Sequence, residues 1–212
     1  MEYTFHYDSP LGRMTLASDG ERLTGLWFDG QKHFAATLDK EHKEKPLPVF
    51  AETGRWLDLY FGGTAPDFTP PLSMKTTPFR RAVWAILLTI PYGRSMTYGE
   101  IAESIARQKG LARMSARAVG GAVGHNAISL IIPCHRVLGA DGSLTGYAGG
   151  MERKSKLLAL EKQGCPPPPP VVQFRRQIRS IDKEEALWNS KNCCPRAEAS
   201  GVMRPRPGTT TS

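Results

Sequence analysis

The chain has 212 residues, room for one or two domains, and its 40% hydrophobic content is that of a globular protein. The opening MEYTFHYDSP lacks the basic and apolar stretches of a secretory signal, and no apolar run approaches the roughly 18 residues of a membrane span. Four cysteines (Cys134, Cys165, Cys193 and Cys194) form no CxxC pair and have no His at zinc spacing, so a reduced, cytoplasmic protein without metal or other cofactor is expected.

The formal charge of +8 is uneven along the chain. Residues 1–71 carry 7 Lys/Arg against 11 Asp/Glu, residues 72–163 carry 13 against 5, and residues 164–212 carry 8 against 4. The middle segment therefore has the electrostatic footprint of a protein with a polyanion partner, although an ordinary basic surface gives the same counts.

Three segments follow, 1–71, 72–164 and 165–212. The first opens with alternating runs at Tyr3–Tyr7, Arg13–Ala17 and Leu23–Phe28, separated by Pro10-Leu11-Gly12 and Asp19-Gly20, which predict an antiparallel meander. Phe50, Trp56, Leu57, Tyr60 and Phe61 then fall at helical spacing before Gly62-Gly63. Nothing in this segment looks catalytic. His33 and His42 sit among charged residues and read as exposed side chains.

The second segment reads as helical. Thr77-Pro78 has the cap-then-proline order of a helix start, with Val83, Trp84, Ile86, Leu87 and Ile90 on the apolar side and Pro91-Tyr92-Gly93 as the stop. Thr97 and Glu100 form a capping box for a helix reaching Gly110. Ser115 caps another, Ala116-Arg117-Ala118-Val119-Gly120-Gly121-Ala122-Val123. Two helices joined by a short turn suit a helix-turn-helix, and equally a plain helical hairpin. Gly120 and Gly121 each cost about 0.8–1.0 kcal/mol relative to Ala inside a helix. So bare a helix suits close packing against a neighbouring helix, or a duplex lying along it with Arg117 projecting inward.

The most informative run is Ile131-Ile132-Pro133-Cys134-His135-Arg136-Val137, where a cysteine precedes a histidine and an arginine. A thiol becomes a strong nucleophile as thiolate, which a neighbouring base or positive charge favours. A buried, inert cysteine is the plain alternative. In the third segment Pro166–Pro170 predict a stiff spacer, Phe174, Ile178, Ile181 and Trp188 fall near helical spacing, and Ala197–Ser212 read as disordered.

Pro133-Cys134-His135-Arg136-Val137 resembles the active-site signature of the 6-O-methylguanine-DNA methyltransferases. So, in the family's order, do Thr77-Pro78-Phe79, Ile90-Pro91-Tyr92-Gly93, Thr97-Tyr98-Gly99-Glu100, Ala116–Ala122, Asn126, Gly146-Tyr147-Ala148-Gly149-Gly150 and Lys156–Glu161. The resemblance covers about residues 76–164 strongly and the first segment weakly. It implies an RNase H-like α/β N-terminal domain of antiparallel strands plus a helix. A mainly α helix-turn-helix domain follows, carrying the reactive cysteine.

The resemblance also implies roles. Cys134 accepts the alkyl group, His135 polarises it through a water, and Glu161 orients His135. Tyr98 donates toward guanine N3, and Asn126 sits at the hinge between the recognition helix and an active-site strand. The carbonyls of Cys134 and Val137 take the exocyclic amine, the Ala148 N–H faces the alkylated oxygen, and Val123 and Tyr147 line the pocket. Ala116, Gly120 and Gly121 lie along the DNA, and Arg117 fills the space of the flipped base. The implied partner is double-stranded DNA containing alkylated guanine, with no membrane role, the protein working as a monomer. Residues 1–133 hold no cysteine, so the N-terminal zinc site of some relatives is not expected. Two other readings fit parts of the pattern: a helix-turn-helix module that binds DNA without chemistry, and a thiol hydrolase, which needs an oxyanion hole.

Overall fold

The computed structural model describes residues 1–163. The three alternating runs form β1 (Glu2–Ser9), β2 (Gly12–Ser18) and β3 (Leu23–Phe28), paired antiparallel in sequence. A fourth strand, β4 (His42–Glu44), joins the other edge parallel to β1, giving the order β3-β2-β1-β4. The sequence reading did not include β4. Its three residues are exposed and polar, so no hydrophobic alternation marks it, and charged residues suit an edge that must not recruit another strand. Helix α1 (Pro48–Phe61) starts two residues earlier than the aromatic spacing suggests, because Pro48 takes the first helical position. It turns Val49, Phe50, Trp56, Leu57, Tyr60 and Phe61 inward and stops at Gly62-Gly63, where Gly63 adopts φ +78°.

Helices α2 (Pro78–Leu87), α3 (Tyr98–Lys109) and α4 (Ala116–Gly124) follow, with the two-residue strand β5 (Met96–Thr97) ahead of α3. The three expected caps are present. Thr77 Oγ1 accepts from the Arg80 N–H and Ser115 Oγ from Ala118 N–H, and Thr97 and Glu100 close the reciprocal capping box. Helix α2 ends at Leu87, so Ile90 is buried from a turn beyond it rather than from the helix. Helix α4 packs on both α2 and α3, and the buried Trp84 indole donates to the Ala122 carbonyl at 2.9 Å. The described residues end with a 3-10 turn (Cys134–Arg136), β6 (Val137–Leu138) parallel to β5, and α5 (Met151–Gln163).

The expected active-site strand is not a strand. Residues 127–133 run as buried turns, with Leu130 at φ +67°. A buried backbone needs its polar groups satisfied, and here one side chain serves in place of a partner strand. Asn126 accepts from Ile128 N at 3.0 Å and donates to the carbonyls of Ile128 and Ile132 at 3.2 and 2.7 Å. The same segment docks on the free edge of β3. Leu26 N donates to Ala127 O and Ser129 N to Leu26 O, both at 2.8 Å. Strand β3 is therefore buried at every position, and a single hydrophobic core runs from the sheet through α1 to α2, α3 and α4. Among the described residues no helix is long and apolar enough to cross a membrane. The proline run, the spacing of Phe174 to Trp188 and the predicted disorder of Ala197–Ser212 lie outside the described residues.

Candidate active site

The 3-10 turn places Cys134 and His135 side by side in the interior, both buried. Asn126, the last residue before the buried turns, donates its amide nitrogen to Cys134 Sγ at 3.1 Å. Its oxygen is occupied by the Ile128 N–H, which fixes the amide so that nitrogen faces the sulfur. Burial pushes the Cys134 thiol up, against the opposing pull of the Asn126 hydrogen bond and the Lys154 charge. This corrects the expectation that the neighbours lower it: enclosure outweighs them, and the resting group is the thiol.

His135 Nε2 lies 2.7 Å from Glu161 Oε1. Glu161 is a carboxylate: burial alone would raise its pKa, but the hydrogen bonds from His135 and Arg136 and the Arg136 charge more than reverse this and hold it at about 2. An ionised carboxylate only accepts, so Nε2 carries the hydrogen and Nδ1 keeps its lone pair. Among the described residues, the buried Nδ1 has no hydrogen-bond partner. Burial keeps the imidazole neutral, against the pull of Glu161. The arrangement is a neutral base with one open lone pair on the residue that follows a protonated thiol.

Glu161 gathers more donors than a two-residue relay requires. Arg136 reaches Oε1 and Oε2 through Nε at 3.1 and 3.0 Å, reaches Oε1 again through Nη2 at 3.0 Å, and donates Nη1 to Ile90 O at 2.6 Å. The Gly93 N–H donates to Oε2 at 3.0 Å. Tyr60, from α1 in the first segment, donates its hydroxyl to Oε1 at 2.7 Å and lies 3.2 Å from His135 Nε2.

Helix α5 contributes a second buried charge. Lys154, Leu157 and Glu161 fall at i, i+3 and i+7, so all three point inward. Lys154 Nζ donates to the carbonyls of Val137 and Thr145. Burial lowers it to about 8, partly offset by attraction to the Cys134 sulfur. Val137 O thus already has a donor, as does Cys134 O, which accepts from Val137 N; each carbonyl keeps one lone pair for a base.

The other predicted positions surround this core. Tyr147 and Val123 are buried, and the Tyr147 ring stands edge-on to His135 at 6.4 Å. Ala148 is half-buried, and its carbonyl accepts from Lys32 N at 3.0 Å. Tyr98 donates to Thr145 O at 3.1 Å, and burial raises its pKa so that it keeps its proton. Gly146 must be glycine: it holds φ +66°, and a Cβ there would stand 2.8 Å from the Tyr98 hydroxyl. On α4, Ala116, Arg117 and Gly121 are exposed. A Cβ at Gly120 would meet the Tyr98 ring at 3.8 Å, an ordinary contact, while one at Gly121 would meet nothing within 4 Å. Neither glycine is demanded by packing inside the described protein.

Two family profiles match, both of the same family. The ribonuclease-like domain of 6-O-methylguanine DNA methyltransferase covers residues 1–74, and its DNA binding domain covers residues 78–163. The chain belongs to the 6-O-methylguanine DNA methyltransferase family. Among curated relatives, the methylated-DNA–protein-cysteine methyltransferase of Haemophilus influenzae is 45% identical over 161 residues, 76% of this chain and 86% of that one. That of Methanosarcina acetivorans is 42% identical over 156 residues, 73% of this chain and 95% of that one. The crystal structure of Mycobacterium tuberculosis OGT in complex with DNA aligns at TM-score 0.67 and 44% identity, over 78% of this chain and 94% of that one.

Within this family framework, the sequence reading brought Cys134, His135, Glu161, Asn126 and Tyr147 to one place. It gave no role to Tyr60, Lys154 or Gly93, and it read Arg136 as a charge near the thiol rather than as the partner of Glu161. Lys154 carried a legible signal, a charged residue on the buried spacing of a helix. Tyr60 carried none, because it lies 101 residues from its partner Glu161 and looked like any aromatic of an apolar helix face.

Proposed function

We propose that Cys134 is the residue on which this alkyltransferase takes an alkyl group from O6-alkylguanine, in a single turnover. The observation that supports the reading is the lone pair of His135 Nδ1, buried with no hydrogen-bond partner among the described residues, on the residue that follows the buried Cys134 thiol and fixed by Glu161 at Nε2. The thiol proton passes to Nδ1 as sulfur attacks the alkyl carbon in line. An S–C bond forms and the C–O6 bond breaks, its electron pair going to the base. The neutral Tyr98 hydroxyl donates toward N3, solvent carries the proton from the His135 imidazolium back to Tyr98, and the net proton movement is from sulfur to guanine. The products are a thioether and guanine. Asn126 and Lys154 stabilise the developing thiolate, by hydrogen bond and by charge.

The substrate is double-stranded DNA lying along α4, with the damaged base turned inward and Arg117 in its place. The open space at Gly121 and the exposure of Arg117 support this. Residues 1–71 form the sheet-and-helix domain and 72–164 the helix-turn-helix domain that carries the acceptor. The working unit is a monomer, since the relay among the described residues needs no group from a second copy, and an acceptor that must stay a thiol suits the reducing cytoplasm. The test is Cys134→Ser: it binds a duplex containing O6-methylguanine and takes no methyl from it, because a neutral hydroxyl is a far weaker nucleophile at saturated carbon. Methyl transfer by this variant would exclude Cys134 as acceptor.

A further inference from the structure

Tyr60 belongs to α1, outside the domain that carries the cysteine, yet it is fully buried with its hydroxyl on the relay. Its ring is held firmly. Trp56 stacks on it at 5.3 Å and 9°, and Phe61 and Tyr92 meet it edge-on at 5.4 and 5.8 Å. Burial first, and then the charge of Glu161, raise its pKa well above the ordinary phenol value, so the hydroxyl is always protonated. Its one proton goes to Glu161 Oε1 at 2.7 Å, the oxygen that His135 Nε2 also reaches at 2.7 Å. Its oxygen lone pair faces the Nε2–H at 3.2 Å.

We propose that Tyr60 is a positioning residue that sets the proton affinity of His135 by competing with it for Glu161 Oε1, so that the sheet-and-helix domain helps tune the acceptor site. A carboxylate oxygen shared among several donors gives less of its charge to each. The imidazolium is stabilised less than it would be by an unshared Glu161, and the imidazole stays available as a base. His135 also feels the positive charges of Arg136 and Lys154, which act in the same direction. Arg136 also bonds Oε1 but divides its donors between the two oxygens, whereas Tyr60 gives its single proton to the atom that His135 uses, and at a shorter distance.

The proposal rests on the alkyl-acceptor reading, and the experiment separates the two. Tyr60→Phe removes the hydroxyl and keeps the ring. Transfer from a duplex oligonucleotide carrying O6-methylguanine is followed against pH in single turnover. In parallel, iodoacetamide labelling of Cys134, in which His135 takes the thiol proton as sulfur attacks and no guanine is involved, is read by peptide mass spectrometry. With Oε1 relieved of one donor, the acid limb of both profiles moves up by roughly one pH unit. Below that limb the rates fall by up to about tenfold. Trp56→Phe disturbs the stack without touching the hydrogen bonds; it lowers the melting temperature and leaves the limb in place. An unmoved limb in Tyr60→Phe, or an equal shift in Trp56→Phe, overturns the proposal. A wild-type protein inert to the oligonucleotide, with the limb still shifted in the iodoacetamide profile, overturns the acceptor reading and keeps the role of Tyr60.

Discussion

Replacing Glu161 by Gln tests how much of the site rests on one carboxylate. Oε1 receives His135, Tyr60 and Arg136, and Oε2 receives Arg136 and Gly93. An amide nitrogen in place of either oxygen sets donor against donor and leaves the buried Arg136 without its anion. Breaking a buried ion pair from one side costs about 3–5 kcal/mol. The pKa gives a second route to the magnitude. A carboxylate held at about 2 against an ordinary 4.5 contributes about 3 kcal/mol at about 1.4 kcal/mol per unit. Because the folded value is depressed, this contribution is complete above the unfolded pKa and is lost as pH falls through about 2. Urea unfolding of both proteins should show a gap of about 3 kcal/mol at neutral pH, a large part of the 5–15 kcal/mol typical of a domain. The gap should narrow as the pH drops from about 4.5 toward about 2. A gap below about 1 kcal/mol, the worth of one neutral hydrogen bond, would refute the reasoning, as would a gap that ignores pH.

Other outcomes follow from the same geometry. Arg117→Ala should impair repair of a damaged duplex far more than reaction with the free alkylated base, since the proposed role of this exposed side chain is on DNA and not on sulfur; comparing the two rates decides it, and equal losses would exclude insertion into the duplex. Ending the chain at Gly164 should preserve full stoichiometric activity, because every described group of the site lies between Tyr60 and Glu161; an inactive truncation would mean that residues beyond 164 contribute.

Where the signal is local, sequence and structure agree. The caps at Thr77, Thr97 and Ser115 are legible because their donors and acceptors lie within three residues. The Pro133–Val137 run and the motifs around it identify the chemistry in the same way. What stayed hidden depends on contacts between distant parts of the chain. Strand β4 has no apolar pattern, only an edge to join. The active-site strand that the family resemblance implies after Asn126 is absent from Ile128–Ile132, where Asn126 and the β3 edge satisfy the backbone instead. The neighbours of Cys134 suggest a lowered thiol pKa, and only the folded enclosure reverses the sign. Tyr60 is invisible for the same reason: its importance lies in one oxygen atom contributed by α5.

The central claim is that Cys134 takes one alkyl group and keeps it. Exposing the wild-type protein to an excess of duplex carrying labelled O6-methylguanine, then counting label and mapping it by peptide mass spectrometry, tests this directly. The account predicts one methyl per chain, located on Cys134, with Cys165, Cys193 and Cys194 unmodified and no further reaction. Release of more than one methyl per chain, or a chain that binds the damaged duplex and leaves Cys134 unmodified, would contradict it.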